Sequence, residues 1–305
     1  MNLQWLSLAD ANTRWVLTGS LLLGLSSGVL GAFALLKRRS LMADTLSHAA
    51  LPGIAGAFLI TGTKSVGPLF AGAAAAGVLG NLLITWITRY SKVKQDAAMA
   101  AVLTLFFGLG SMLINLIQRT PGGNQSGLDR FLFGQAASLV GRDVQVMAAA
   151  AGFLCLITFL LFKELKLLAF DPTFAAQLGL PVALLDHLLN LMITLAVITG
   201  LESVGVVLMS SLLITPAAAA RFWTDRLHIM VLLSGLFGAA SGTVGTLLSQ
   251  AGPRMPTGPL IVLAATGLFL ASLLLAPRRG ILARAIRLIR SQQQRLREKA
   301  PREVV

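Results

Sequence analysis

Long apolar blocks, each near the length of a bilayer-spanning helix and separated by short basic punctuation, constrain this chain more than any other feature. A spanning helix needs about 20 mainly apolar residues. The blocks that qualify, or nearly so, run 15–36, 44–60, 66–88, 97–117, 144–162, 188–200, 203–220, 229–248 and 257–276. The expected fold is therefore an all-α polytopic membrane protein of about nine transmembrane helices. Gly200 and Glu202 interrupt one long apolar run, so the sixth and seventh blocks read as short segments that tilt or re-enter, with Glu202 in the turn between them. Only 12% of residues are charged, half the share of about a quarter found in soluble domains, which excludes a water-soluble globule.

The net charge of +13 would suggest nucleic acid in a soluble protein. Position excludes that partner, because the basic residues sit at block ends and in a C-terminal tail, where they set topology and touch anionic lipid. On a nine-span thread, one side collects 19 Lys and Arg and the other 6. The positive-inside rule then puts the N-terminus outside and the C-terminus in the cytoplasm of a plasma membrane. Cys155 is the single cysteine, so one chain builds neither a disulfide nor a thiolate metal centre. No removable signal peptide is expected at the N-terminus.

The acidic residues and histidines fall in loops or at helix ends except Asp44 and His48, with Glu202 a lesser candidate. A carboxylate at the centre of a bilayer helix costs about 2.5–3.5 kcal/mol, so one placed there faces a cavity, a partner or a cation. Asp44 and His48 are four residues apart and share a helix face. A carboxylate oxygen and an imidazole nitrogen suit a borderline divalent cation such as zinc, manganese or iron. Ser47 is placed to support them, and Pro52 removes the hydrogen bond to the His48 carbonyl, which predicts a bent or unwound helix beside the pair. The same spacing also suits a helix cap with an internal hydrogen bond. Two features count against a metal: Asp44 is only five residues from Arg39, hence shallow unless that segment itself penetrates, and two ligands are too few. A second copy of the helix would double them.

Between the fifth and sixth blocks, 169–187 reads as a short cytoplasmic helix with Asp171 as N-cap, Pro172 at the first position, Gly179 past its end and Pro181 as the stop. It offers either a docking surface or an interfacial helix. The stretch 119–142 is expected to fold over the outer mouth. Residues 277–305 form a tail whose Ile281, Leu282, Ala285, Ile286 and Ile289 recur at helical spacing among arginines, which suits the cytoplasmic lipid surface. Small residues crowd the third block and point to close helix packing. There is no phosphate loop, HExxH zinc motif or GxSxG elbow, so no enzymatic activity is expected of this chain.

The run KRRSLMADTLSHAALPGIAGAFL closely resembles the signature of permease subunits of ABC-type manganese, zinc and iron importers, the ABC-3 family. LDRFLFGQAASLVGRD, FDPTFAAQLGLP, VGVVLMSSLLITPAAAARFWTD and PTGPLIVLAATGLF resemble further segments of that family in the same order, and the LFGQAA wording is nearer its manganese or iron branch. The resemblance implies a permease domain over 1–276 that pairs with a second permease chain, a cytoplasmic ABC ATPase dimer and an extracytoplasmic metal-binding protein. It implies no permanently bound cofactor, and Mn(II), Zn(II) or Fe(II) as the transported ion. Asp44 and His48 match the family's cation-binding positions. The segment 171–180, with Asp171, Pro172, Phe174, Ala175, Leu178 and Gly179, matches the helix that docks into the ATPase. The arginine-rich tail has no counterpart role in the family. The expected mechanism is alternating access through a gate of two Asp/His pairs. The rivals are a proton-coupled secondary transporter using the pair as a proton relay and an intramembrane hydrolase with His48 as base, which lacks a convincing nucleophile.

Overall fold

The computed structural model describes residues 11–63, 65–119, 139–252 and 255–283. Eleven α-helices are present among them and no strand. They are α1 (Ala11–Leu36), α2 (Met42–Thr61), α3 (Val66–Tyr90), α4 (Gln95–Arg119), α5 (Gly141–Leu160), α6 (Phe162–Phe170), α7 (Pro172–Gln177), α8 (Val182–Val204), α9 (Val206–Trp223), α10 (Leu227–Gln250) and α11 (Thr257–Leu275). Eight of these are long and apolar enough to cross a bilayer: α1–α5, α8, α10 and α11. The seventh expected span corresponds to α9, which is 18 residues long. Most of the expected outer-mouth stretch 119–142, and the tail from 284, lie outside the described residues.

Helices approach on small residues, as the third block predicts. A Cβ added to Gly24 of α1 would overlap the backbone of Gly238 in α10, and the reverse substitution would do the same. Ser234 donates a hydrogen bond to the Gly28 carbonyl (2.5 Å), and the hydroxyls of Ser20 and Thr246 lie 2.7 Å apart along the same seam. Without a hydrophobic drive between helices in lipid, such backbone contact and interhelical hydrogen bonding supply the attraction. Gly53 of α2 and Gly72 of α3 pair in the same way. Large apolar side chains face outward instead, among them Leu105, Phe107 and Met112 on α4 and Phe153 and Phe159 on α5, as a lipid-facing surface requires.

Three expectations need correction. Helix α2, expected bent or unwound at Pro52, is continuous through it, so the unwound alternative does not occur. Neighbouring helices hold it there: Gly53 meets the Gly72 backbone, and Gly110 of α4 leaves room for the Pro52 ring. The sixth span is longer than its apolar run, because Asp186 and His187 belong to the second turn of α8. The break before α9 falls at Gly205, in the left-handed region at φ +86°, so the backbone of Glu202 lies in the last turn of α8 and not in a turn between spans.

Candidate cation site and its connections

Helix α1 ends in a tight turn built from backbone hydrogen bonds. The Arg39 N–H donates to the Ala34 carbonyl (2.9 Å) and the Arg38 N–H to the Leu35 carbonyl (3.1 Å), the paired bonds of a Schellman motif. Arg38 occupies the left-handed position at φ +57°, where glycine is usual and another residue costs about 1–2 kcal/mol. The turn reverses the chain into α2 and sends Lys37 and Arg39 into the protein. Both side chains are largely buried. Arg39 donates to Asp186 Oδ2 (2.8 Å) and to Asn190 Oδ1, and Lys37 donates to Asp186 Oδ1. Asn190 lies eight residues into α8, about 12 Å along the helix at 1.5 Å per residue, so the Arg39 guanidinium reaches well past the start of α8.

Asp44 is in the first turn of α2, two residues past the start of the helix and not its N-cap, where the helix dipole favours negative charge. Its side chain is 36% exposed and opens on a groove of about 320 Å³ lined by Ser40, Leu41 and, from α9, Ser210, Ser211, Ile214 and Thr215. Thr215 and Ser211 lie eight and twelve residues from the Trp223 end of α9, about 12–18 Å along its axis. A carboxylate near the start of one helix thus faces the middle of another.

His48 lies one turn further on. Its Nε2 is 3.6 Å from Asp44 Oδ1, beyond hydrogen-bonding range, so the internal hydrogen bond of the capping alternative is not formed. The imidazole meets Phe107 of α4 edge-on, with ring centroids 5.1 Å apart, and its Nδ1 is buried without a hydrogen-bond partner. Ser47 is wholly buried and its Oγ is likewise unpartnered. Among the described residues no group of three or more His, Cys, Asp or Glu side chains converges as a metal site; Asp44 and His48 stand as a pair.

Helix α7 forms as its sequence signals direct. Asp171 Oδ1 accepts from the Phe174 N–H (2.9 Å), and Pro172 occupies the first turn. Gly179, at φ +80°, closes a second Schellman motif in which the Leu180 N–H donates to Ala175 and the Gly179 N–H to Ala176. Ala175 is buried, while Phe170, Phe174 and Leu178 are exposed. Sequence reasoning missed the Lys37–Arg39–Asp186–Asn190 network, whose members lie about 150 positions apart and carry no local signal.

One end of the bundle gathers Lys37, Arg39, α7 and the start of α8. A cavity lined by Leu36, Phe170, Arg221, Asp225 and Arg279 lies at that same end. There Asp225 accepts from Arg279 (2.6 Å) and Arg278 (3.2 Å), and the hydrogen bond from Arg279 holds its carboxyl below the usual carboxylate value.

Residues 9–276 match the ABC 3 transport family. The chain belongs to that family. It is 51% identical over 294 residues to a manganese transport system membrane protein, MntC, of Bacillus subtilis, covering 96% of this chain and 68% of that one. It is 44% identical over 274 residues to the zinc transport system membrane protein TroC of Treponema pallidum, covering 90% and 92%. Its fold superposes on PsaBC from Streptococcus pneumoniae, solved in complex with Fab, with a TM-score of 0.79 at 31% identity, covering 92% of this chain and 96% of that one. This ABC 3 chain is accordingly a multi-pass transport subunit of the bacterial inner membrane and not an enzyme.

Proposed function

We propose that this chain is the permease of an ATP-driven importer of divalent transition-metal cations, with Mn(II) the favoured cargo and Zn(II) and Fe(II) the alternatives. The observation that carries the reading is the Asp44–His48 pair. With metal–ligand bonds of about 2.0–2.2 Å to each, a separation of 3.6 Å gives a bite angle of about 110–130°, at or somewhat above that of a tetrahedral site. A nitrogen and an oxygen ligand suit these borderline ions. Hydroxyl groups of Ser210, Ser211 and Thr215 line the same groove as Asp44 and offer oxygen atoms to a partly hydrated cation. The names of the relatives, a manganese and a zinc transport system protein, agree with this chemistry.

Two ligands do not complete a coordination sphere, so a second permease chain, identical or paralogous, supplies a facing Asp/His pair. The basic end of the bundle is cytoplasmic by the positive-inside rule, with the N-terminus outside, a permease domain over 1–276 and a tail, 277–305, on lipid. Helix α7 then faces a cytoplasmic ABC ATPase dimer, to which Phe174 and Leu178 present apolar surface while Asp171, Pro172, Ala175 and Gly179 set the helix. An extracytoplasmic metal-binding protein delivers the ion at the other end. The permease lowers the barrier for the ion by replacing its water with fixed ligands, and makes and breaks no covalent bond.

The test is uptake by proteoliposomes holding the assembled importer, with Mn(II), Zn(II) and Fe(II) in competition. ATP-dependent uptake of one of them is the expected result. Uptake driven by a proton gradient without ATP would replace this reading with the proton relay.

A further inference from the structure

The buried charges behind the cation site are arranged for more than holding helices together. Lys37 and Arg39 share the one carboxylate of Asp186, and Arg39 reaches past it to Asn190. Taking such charges out of water is costly, and apolar side chains of the same volume would clamp the same two segments at less cost. The network is also not saturated. Two cations compete for one anion, and Arg39 Nε is buried without a partner. A spare donor beside a shared acceptor is what a second arrangement of such a cluster would draw on, and two arrangements are what a coupling element needs.

Its connections run in two directions. Asp186 is in the second turn of α8, which follows α7 after the tight turn at Leu178–Pro181. Arg39 is five residues before Asp44, with the ordered turn and the first residues of α2 between them. A displacement of α7 therefore reaches α8 over four residues of chain, crosses to the α1–α2 turn through ionic hydrogen bonds, and enters the helix that carries Asp44 and His48.

We propose that Asp186, Lys37 and Arg39 are positioning residues that couple movement of α7 to the Asp44–His48 pair. This rests on the reading of α7 as the ATPase contact and of the pair as the cation site. None of the three touches the ion; they pass the movement of α7 to the turn that leads into the pair's helix.

The test is the stoichiometry of Mn(II) imported per ATP hydrolysed, measured on the full importer in proteoliposomes for wild type, Asp186→Asn and Lys37→Met. Asp186→Asn keeps size and an acceptor for Arg39 but removes the shared charge. The expected result is a fall of at least tenfold in the ratio for Asp186→Asn and a smaller fall for Lys37→Met, with ATP-free Mn(II) binding to the assembled complex unchanged. If Asp186→Asn does not assemble, Asp186→Glu, which keeps the charge on a longer arm, takes its place with a severalfold fall expected. An unchanged ratio in the variants that assemble, with or without lost thermal stability, reduces the network to a structural clamp and overturns the inference. Wild type that imports no Mn(II) with ATP would instead contradict the transport reading, and the inference with it.

Discussion

Nε2 of His48 stands 3.6 Å from Oδ1 of Asp44, too far for a hydrogen bond and near enough for one ion to touch both. The distance matters because the two groups share a helix turn and leave each other unsatisfied. A carboxylate and an imidazole set to stabilise α2 would close that gap, since a charge-assisted hydrogen bond is worth about twice a neutral one.

The helix seams make the first prediction. Gly24 of α1 is in backbone contact with Gly238 of α10, so Gly24→Val forces the two helices apart and is expected to destabilise the permease by about 3 kcal/mol or more. Gly56 of α2 has nothing near its Cβ position, and Gly56→Ala should be neutral or stabilising by up to about 1 kcal/mol. Thermal unfolding of the purified permease in detergent separates the two; equal effects would contradict the seam.

Helix α7 makes the second. Phe174→Ala with Leu178→Ala removes exposed apolar surface and leaves the Asp171 cap and the Gly179 turn in place. Recovery of the ATPase with the purified permease should drop about tenfold, the effect of losing about 1.4 kcal/mol of contact, while membrane insertion is unchanged. Undiminished recovery would assign α7 to the lipid surface.

The clamp at the root of the tail makes the third. Arg279 and Arg278 hold Asp225 ionised, with its carboxyl below the usual value. A group with a depressed folded value stabilises above the unfolded value of about 3.9 and loses that contribution as pH falls through the folded one. Carbon-13 detection of the Asp225 carboxyl should therefore show titration below the ordinary aspartate range, and Arg279→Gln should raise it. A carboxyl indifferent to Arg279→Gln would contradict the contact.

Much of this was legible in the sequence because the signals were local. Apolar length marked the spans, spacing put Asp44 and His48 on one face, and Asp171, Pro172 and Gly179 wrote out a capped helix from start to stop. What escaped depended on tertiary contact. Arg38 holds a left-handed position that a sequence marks only when glycine is there. Lys37 and Arg39 read as topological punctuation, and Asp186 as a loop residue, because nothing local reports that they meet. Pro52 suggested a bent or unwound helix, yet α2 stays helical through it, with Gly72 and Gly110 small enough for neighbouring helices to close around it. Burial of Arg39 also means that chain distance from it does not measure how near Asp44 lies to the protein surface.

The proposed transport route rests on the Asp44–His48 pair as the site of the ion. Its most direct measurement is Mn(II) binding and ATP-dependent Mn(II) uptake by the assembled importer carrying Asp44→Ala, His48→Ala or both, beside wild type. The account predicts that each variant inserts and holds its ATPase, that uptake falls at least about a hundredfold, the effect of losing about 2.7 kcal/mol at the site, and that the double variant is no worse than the singles because the pair acts as one unit. Wild-type uptake in both single variants would contradict it.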